Sequence, residues 1–136
     1  MPATEPTFAY LGPAGTYSDE AARAFAARLG ADEPALFECS SLDEVFDCVD
    51  RGRCEYGVVP TENSLEGPVT ATLDNFAFKS SASILCEEVL DIHHCLLLAP
   101  GASLDEVERV ASHPQGLAQC RRFLSERLPG RASVTT

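Results

Sequence analysis

The chain has 136 residues, of which 45% are hydrophobic and 23% are charged, and its formal net charge is -11. This length and composition fit one ordinary globular domain or two very small lobes. The acidic balance disfavours nucleic acids and anionic membrane surfaces as partners, because proteins bind both through clustered Lys and Arg.

The first half of the chain alternates predicted strands with predicted helices. Ser41 and Glu44 form a capping-box pattern at the start of the second helix, and Gly30 and Gly52 end the first two helices. Alternation of this kind predicts an α/β fold with a mostly parallel sheet and right-handed crossovers. We predict strands at residues 7–11, 35–39 and 56–59, and helices at 18–29, 41–52 and 69–76.

The pattern changes near residues 79–81, where two predicted strands follow one another without a full helix between them. We interpret this change as a crossing from a first lobe, residues 1–80, to a partial second lobe, residues 81–136. A cleft between two such lobes would be lined by loops at the strand ends. In the second lobe we predict strands at residues 82–90, 94–99 and 109–112, a helix from about 112 to 128, and a strand from 131 onward.

Three polar turns, at residues 12–18, 61–68 and 112–115, are predicted to start helices after strands. Each turn would place backbone N–H groups and the positive end of a helix at one edge of the sheet, which suits a small molecule carrying carboxylates. Glu62 and Glu66 would share a face if their turn were helical. Gln115 and Gln119 share a face of the last helix, behind Ser112 as its cap. Each turn taken alone is also explained by ordinary helix capping.

Other kinds of site are not supported by the motifs present. The six cysteines contain no C-x-x-C pair, and most lie next to apolar residues, so we interpret them as reduced side chains that act as small hydrophobes rather than as metal ligands. His93 and His94 would point to opposite faces of a strand and could not chelate one ion well. The turn at residues 12–15 is not a dinucleotide or P-loop motif. We therefore expect no metal and no cofactor. Since no apolar run approaches a membrane span and no signal peptide is evident, we expect a cytoplasmic protein.

Three motifs, in order and at matching spacing, resemble the signatures of the prephenate dehydratase family. The resemblance covers nearly the whole chain from Thr7 onward, and Thr61 is a small departure, since an apolar residue is common there. The motifs are Gly12-Pro13-Ala14-Gly15-Thr16-Tyr17-Ser18, Val58-Val59-Pro60-Thr61-Glu62-Asn63-Ser64-Leu65-Glu66-Gly67, and Ser112-His113-Pro114-Gln115 followed by Gln119-Cys120.

The resemblance implies a two-lobed α/β fold like the type 2 periplasmic binding proteins, with the second lobe incomplete here. It implies a carbon–oxygen lyase of phenylalanine biosynthesis that converts prephenate to phenylpyruvate, CO2 and water without a cofactor. Carried over by motif, the catalytic residues are Glu62, Asn63, Ser64, Ser112 and Gln119. The substrate-binding residues are Gly15, Thr16, Tyr17, Ser18, His113 and Gln115.

One departure from the family pattern bears on activity. The family's Thr-Arg-Phe motif, whose Thr is held to be catalytic, is absent, and so is the ACT domain that often follows. We therefore expect this polypeptide alone to have little or no turnover, and we expect copies to associate as a homo-oligomer. Two alternatives stay open: arogenate dehydratase, and a non-catalytic binding module of the same fold that recognises a small carboxylate.

Overall fold

A computed structural model describes residues 5–136 of the chain. They form two compact units, the first ending at Leu90 and the second comprising Asp91–Thr136. The sequence placed the change of lobe after residue 80, and the correspondence between these units and two functional lobes stays a prediction.

The first unit is built on a three-stranded parallel sheet. Its strands are β1 (Thr7–Leu11), β2 (Ala35–Cys39) and β3 (Tyr56–Val58), in the order β2-β1-β3. Helix α1 (Tyr17–Arg28) connects β1 to β2, and helix α2 (Leu42–Asp50) connects β2 to β3. The predicted α/β alternation and parallel pairing are confirmed for this unit.

Strand β1 is buried on both faces, since neighbouring residues of a strand point to opposite sides of the sheet. Phe8 and Tyr10 pack with Ala22 and Ala26 of α1 in one apolar cluster. Ala9 lies in a second cluster with residues of β2 and α2. The sheet is therefore covered by a helix on each face, as parallel sheets require.

Gly57 of β3 allows α2 to pack closely against the sheet. A Cβ atom at this position would lie 3.0 Å from Val49 Cγ2 and 3.1 Å from Val45 Cγ1. These distances are tighter than ordinary van der Waals contact. At its start, α2 is capped as predicted: Ser41 Oγ accepts a hydrogen bond from Glu44 N at 3.2 Å. The Glu44 carboxylate in turn accepts a hydrogen bond from Ser40 N at 2.8 Å.

Residues 61–68 form a hairpin rather than the predicted helix-starting turn. Its two short strands, β4 (Glu62–Asn63) and β5 (Gly67–Pro68), pair antiparallel. Helix α3 (Thr70–Asp74) begins only afterwards and continues into a π-helical turn, Asn75–Lys79. The expectation that Glu62 and Glu66 share a helical face is wrong for this reason. The buried Thr72 hydroxyl holds the segment by donating to the Pro60 carbonyl at 2.7 Å.

Residues 80–99 contain neither of the two strands predicted there. A strand is defined by a hydrogen-bonded neighbour, and the described residues provide none along this stretch. Several of its apolar side chains are exposed: Ile84 by 69%, Val89 by 86% and Leu97 by 87%. The hydrophobic pattern predicted strand-forming residues without showing what they would pair with.

The second unit contains a two-stranded parallel sheet of β6 (Arg109–Ser112) and β7 (Ala132–Thr135). The single helix predicted for residues 112–128 divides at Cys120, where the backbone departs from helical geometry with φ -91° and ψ 5°. Within residues 5–136, no helix combines the length and apolar character that a bilayer crossing needs. The elements of the unit are a 3₁₀ turn (Leu104–Glu106), β6 (Arg109–Ser112), α4 (Pro114–Gln119), α5 (Arg121–Arg127) and β7 (Ala132–Thr135).

Candidate active site

The turn after β1 is held by carboxylates of the chain itself. Ala14 N donates to Glu38 Oε2 at 3.1 Å, and Gly15 N donates to Asp19 Oδ2 at 2.9 Å. Thr16 caps α1, since its Oγ1 accepts from Asp19 N at 3.4 Å. The expectation that this turn offers its backbone N–H groups to an anionic ligand is therefore wrong for Ala14 and Gly15.

Glu38 and Tyr10 lie side by side because β1 and β2 pair in register at these two residues. The Tyr10 hydroxyl donates to Glu38 Oε2 at 3.5 Å. Burial raises the pKa of Tyr10, and the negative charges of Asp19 and Glu38 raise it further. Asp19 is itself buried and is paired with Arg23 Nε at 3.0 Å. The turn is therefore held by the carboxylates of Glu38 and Asp19, and the protonated phenol of Tyr10 contacts Glu38 in its turn.

In the hairpin, Asn63 is half-buried and its side chain is oriented by a local hydrogen bond. Leu65 N donates to Asn63 Oδ1 at 2.9 Å, and Glu66 N donates to the Asn63 carbonyl at 3.2 Å. Because the amide oxygen accepts from Leu65, the amide nitrogen is the end of this side chain that can donate to a ligand. Glu62 and Ser64, on either side of it, are exposed.

Ser112 lies at the end of β6, and its hydroxyl packs against α4 at Gly116. A Cβ atom on Gly116 would lie only 2.7 Å from Ser112 Oγ, so the absence of a side chain at this position leaves room for the hydroxyl. The prediction that Ser112 caps the helix is wrong. His113 is the cap instead, with Nδ1 accepting from Gln115 N at 3.3 Å. The Ser112 hydroxyl is thus not used as the cap of α4.

Gln119, at the end of α4, contacts a residue far from it in sequence. Its Oε1 lies 2.8 Å from His94 Nε2. The amide oxygen is an acceptor, so the imidazole nitrogen is the donor in this pair. As for Asn63, the oxygen is held by the protein and the nitrogen is the donating end of the side chain.

The structure groups the predicted residues by unit. Asn63 lies with Glu62 and Ser64 on the hairpin of the first unit. In the same unit, Gly15 lies in the turn after β1, Thr16 caps α1, and Tyr17 and Ser18 begin that helix. Ser112, His113, Gln115 and Gln119 lie together on β6 and α4 of the second unit. The roles assigned to all of them stay predictions.

Sequence reasoning missed three residues that hold these groups in place. Asp19 could have been found, because a carboxylate three residues after the Thr16 cap is a known helix-start signal. Glu38 carries no local signal, since its contact depends on the register of two strands. His94 was considered only as a metal ligand. Within the described part of the chain, no three His, Cys, Asp or Glu side chains are grouped to hold a metal ion.

The chain is similar to known proteins in family, in sequence and in structure. A family model described as prephenate dehydratase matches residues 8–136. A curated prephenate dehydratase of Corynebacterium glutamicum is 38% identical over 123 residues, which are 89% of this chain and 39% of that protein. The chain therefore spans well under half of this relative.

Two solved structures agree on the fold. A prephenate dehydratase from Arthrobacter aurescens, in complex with L-Phe, matches with a TM-score of 0.82 and 33% identity, over 96% of this chain and 42% of that one. A protein named GqqA, described as a novel type of quorum quenching acylase, matches with a TM-score of 0.71 and 29% identity, over 96% and 45% of the two chains. Because the family model spans nearly all of the residues, the chain belongs to the prephenate dehydratase family.

Proposed function

We propose that the protein carrying this chain is a cytoplasmic prephenate dehydratase of phenylalanine biosynthesis. The observation that carries the proposal is the family match over residues 8–136. In the reaction, the bond from the ring to its carboxylate breaks and releases CO2. The bond to the ring hydroxyl also breaks, and the departing hydroxide takes up one proton to leave as water. The ring becomes aromatic, which supplies much of the driving force.

The chemistry needs donors more than it needs bases. The substrate is a dianion, and the carboxylate that it retains must be held while the other leaves as a neutral gas. Asn63 and Gln119 are suited to that task. In each side chain the amide oxygen accepts a hydrogen bond from the protein, so the amide nitrogen is the end that can donate to a carboxylate. Neutral donors placed where charge changes stabilise the transition state without the desolvation cost of a buried cation.

The Ser112 hydroxyl is the proposed hydrogen-bond donor to the departing ring hydroxyl. It is released from capping by His113 and lies against Gly116. Glu62 and Ser64 flank Asn63, and Gln115 and His113 flank Ser112, so we assign them to the same site. Thr16, Tyr17 and Ser18 complete the proposed substrate contacts, while the N–H of Gly15 is already held by Asp19. No metal or coenzyme is part of this proposal.

The proposal also includes a finer description of the fold. We propose a two-lobed fold like the type 2 periplasmic binding proteins, which bind their ligands in a cleft. Support comes from the α/β architecture of the first unit and from the placement of the candidate residues at strand ends. Ligands of α/β proteins generally bind at such ends.

The test is an assay of phenylpyruvate formation from prephenate by the complete gene product that contains this chain. We expect turnover without added metal, and no turnover in an Asn63→Ala variant with an unchanged circular dichroism spectrum. Absence of phenylpyruvate with the unaltered protein would overturn the proposal. Arogenate is the second substrate to test, since phenylalanine produced from arogenate alone would assign the protein as an arogenate dehydratase.

Two other functions can be distinguished from dehydration by further assays of the same protein. The likeness to GqqA favours a test for acylase activity, because that protein shares the fold at 29% identity. A non-catalytic binding module would bind prephenate in calorimetry and release no CO2. We rank both below the dehydratase because the family model and the Corynebacterium relative carry that description.

We also propose that copies of the chain associate through residues 84–89. The apolar side chains of this stretch are exposed, and the stretch has no strand partner among the described residues. Exposed apolar strand-like segments pair readily with other chains. Size-exclusion chromatography with light scattering should show a dimer or larger species, and a clean monomer at micromolar concentration would contradict this.

A further inference from the structure

We propose that His94 is a positioning residue that fixes the side-chain amide of Gln119 in the orientation needed for substrate. The inference rests on the proposed function, because it gives His94 a role in the same reaction. Its basis is the 2.8 Å contact between His94 Nε2 and Gln119 Oε1, which joins two residues 25 positions apart in the chain.

A glutamine amide has two ends of opposite chemistry. Rotation by half a turn about its last bond exchanges the carbonyl oxygen, an acceptor, for the NH2 group, a donor. An oxygen turned toward a carboxylate would repel it, whereas the nitrogen would bind it. By donating to Oε1, His94 selects the orientation in which nitrogen is the end that meets an anion.

The position of Gln119 makes such selection necessary. The residue ends α4, a helix of only six residues, and the backbone leaves helical geometry at the next position. A long side chain at a helix end has several rotamers, and holding one of them costs conformational entropy. A hydrogen bond from outside the helix offsets that cost before substrate arrives, which is what preorganisation of a site requires.

His94 is suited to this task by chemistry and by place. Its ring is rigid compared with a lysine or arginine side chain, and Nε2 can donate whether the ring is neutral or protonated. His94 is in the segment without strand partners, so its contact with Gln119 also attaches that segment to α4. A side chain that only filled space at position 94 would need no hydrogen-bond donor where His94 places Nε2.

The test is a double-mutant cycle in the complete gene product, with steady-state prephenate turnover as the readout. His94→Phe keeps a ring of similar shape and removes the donor. We expect it to lower kcat/KM by about tenfold, since Gln119 would hold the retained carboxylate in both the ground state and the transition state. In a Gln119→Leu background the same change should alter kcat/KM by less than about twofold, because the residue acts through Gln119.

Two further variants separate positioning from folding. His94→Gln restores an N–H donor and should recover most of the lost kcat/KM, while Cys95→Ser, at the neighbouring exposed position, is the control and should stay within about twofold of the unaltered protein. Melting temperatures within a few degrees of that of the unaltered protein would show that all variants are folded. The proposal is overturned if His94→Phe is as active as the unaltered protein, or if its effect is equally large in both backgrounds.

A spectroscopic measurement keeps the proposal independent of turnover. In ¹⁵N-labelled protein the His94 Nε2 resonance should be that of a protonated, hydrogen-bonded nitrogen, and Gln119→Leu should shift it. An unaltered protein without dehydratase turnover would overturn the proposed function. An unshifted His94 resonance in an active protein would overturn the positioning role alone.

Discussion

The two units of the molecule hold their candidate residues by different means. In the first unit, the turn and the hairpin project from a parallel sheet covered by helices on both faces, with Phe8 and Ala9 almost fully buried. In the second unit, Leu128 is the one residue of Asp91–Thr136 that is buried, and every residue of β7 is exposed. The first unit therefore positions its residues through a packed core, and the second positions them through individual polar contacts and one close approach.

The largest expected effect comes from the core of the first unit. Phe8→Ala should lower the free energy of unfolding by about 3–5 kcal/mol, because it removes a buried ring that stacks on Tyr56 at 5.1 Å and leaves a cavity. Phe123→Ala, on helix α5 of the second unit where the ring is 44% exposed, is the matched change and should cost well under half as much. Urea denaturation measures both, and equal costs would show that the two units do not differ in packing.

The reactivity of cysteine thiols should also differ between the two units. Burial, and then the neighbouring Cys48, raise the pKa of Cys39 to about 12, so its thiol stays protonated at pH 8. Cys95 of the second unit is exposed. Iodoacetamide at pH 8 should modify Cys95 at least about a hundredfold faster than Cys39, as followed by peptide mass spectrometry. Comparable rates in native protein would mean that the core of the first unit opens readily.

The close approach in the second unit can be tested without disturbing a core. Gly116→Ala should leave stability unchanged or raise it by up to about 1 kcal/mol, since alanine favours a helix. The added methyl would meet Ser112 Oγ at 2.7 Å and turn the hydroxyl away. We expect prephenate turnover by the complete protein to fall about tenfold. Ala118→Gly on the same helix is the control, and it should lower stability without a comparable loss of turnover.

A smaller effect is expected on how the stability of the first unit changes at acidic pH. Hydrogen bonds from Asn75 and Lys79 hold the pKa of Asp43 below its usual value. The ionised form is thus favoured by folding, so its contribution is present above the usual carboxyl range and is lost as pH falls through the lowered pKa. Asp43→Asn should make the urea midpoint less sensitive to pH between neutrality and pH 3. Asp32→Asn, on an exposed loop residue, should leave that sensitivity unchanged.

How much could be predicted from sequence also differs between the units. Strands β1, β2 and β3 and helices α1 and α2 follow from local periodicity and caps, because a sheet buried on both faces leaves a continuous apolar pattern. The hairpin at Asn63 was missed, since its pairs involve only two residues on each side. The strands expected at residues 82–99 were wrong because alternation indicates a strand-forming sequence and says nothing about its partner.

The candidate residues themselves came from motif resemblance, whereas the contacts that orient them required coordinates. Asn63 and Gln119 were both identified, yet nothing in the sequence indicates that Leu65 N and His94 Nε2 hold their oxygens. Contacts of this kind join residues through the register of strands and the ends of helices. They therefore emerge only when the chain is folded.

The stretch at residues 80–99, with no ladder hydrogen bonds, also determines how the protein can be cut. Proteases bind their substrates as extended chains, and a segment whose backbone is unpaired meets that requirement without unfolding. Lys and Arg are missing between Lys79 and Arg109, so trypsin has no site there, while the exposed leucines suit chymotrypsin. Brief chymotrypsin digestion should thus separate the two units. The same dose of trypsin should leave this segment intact.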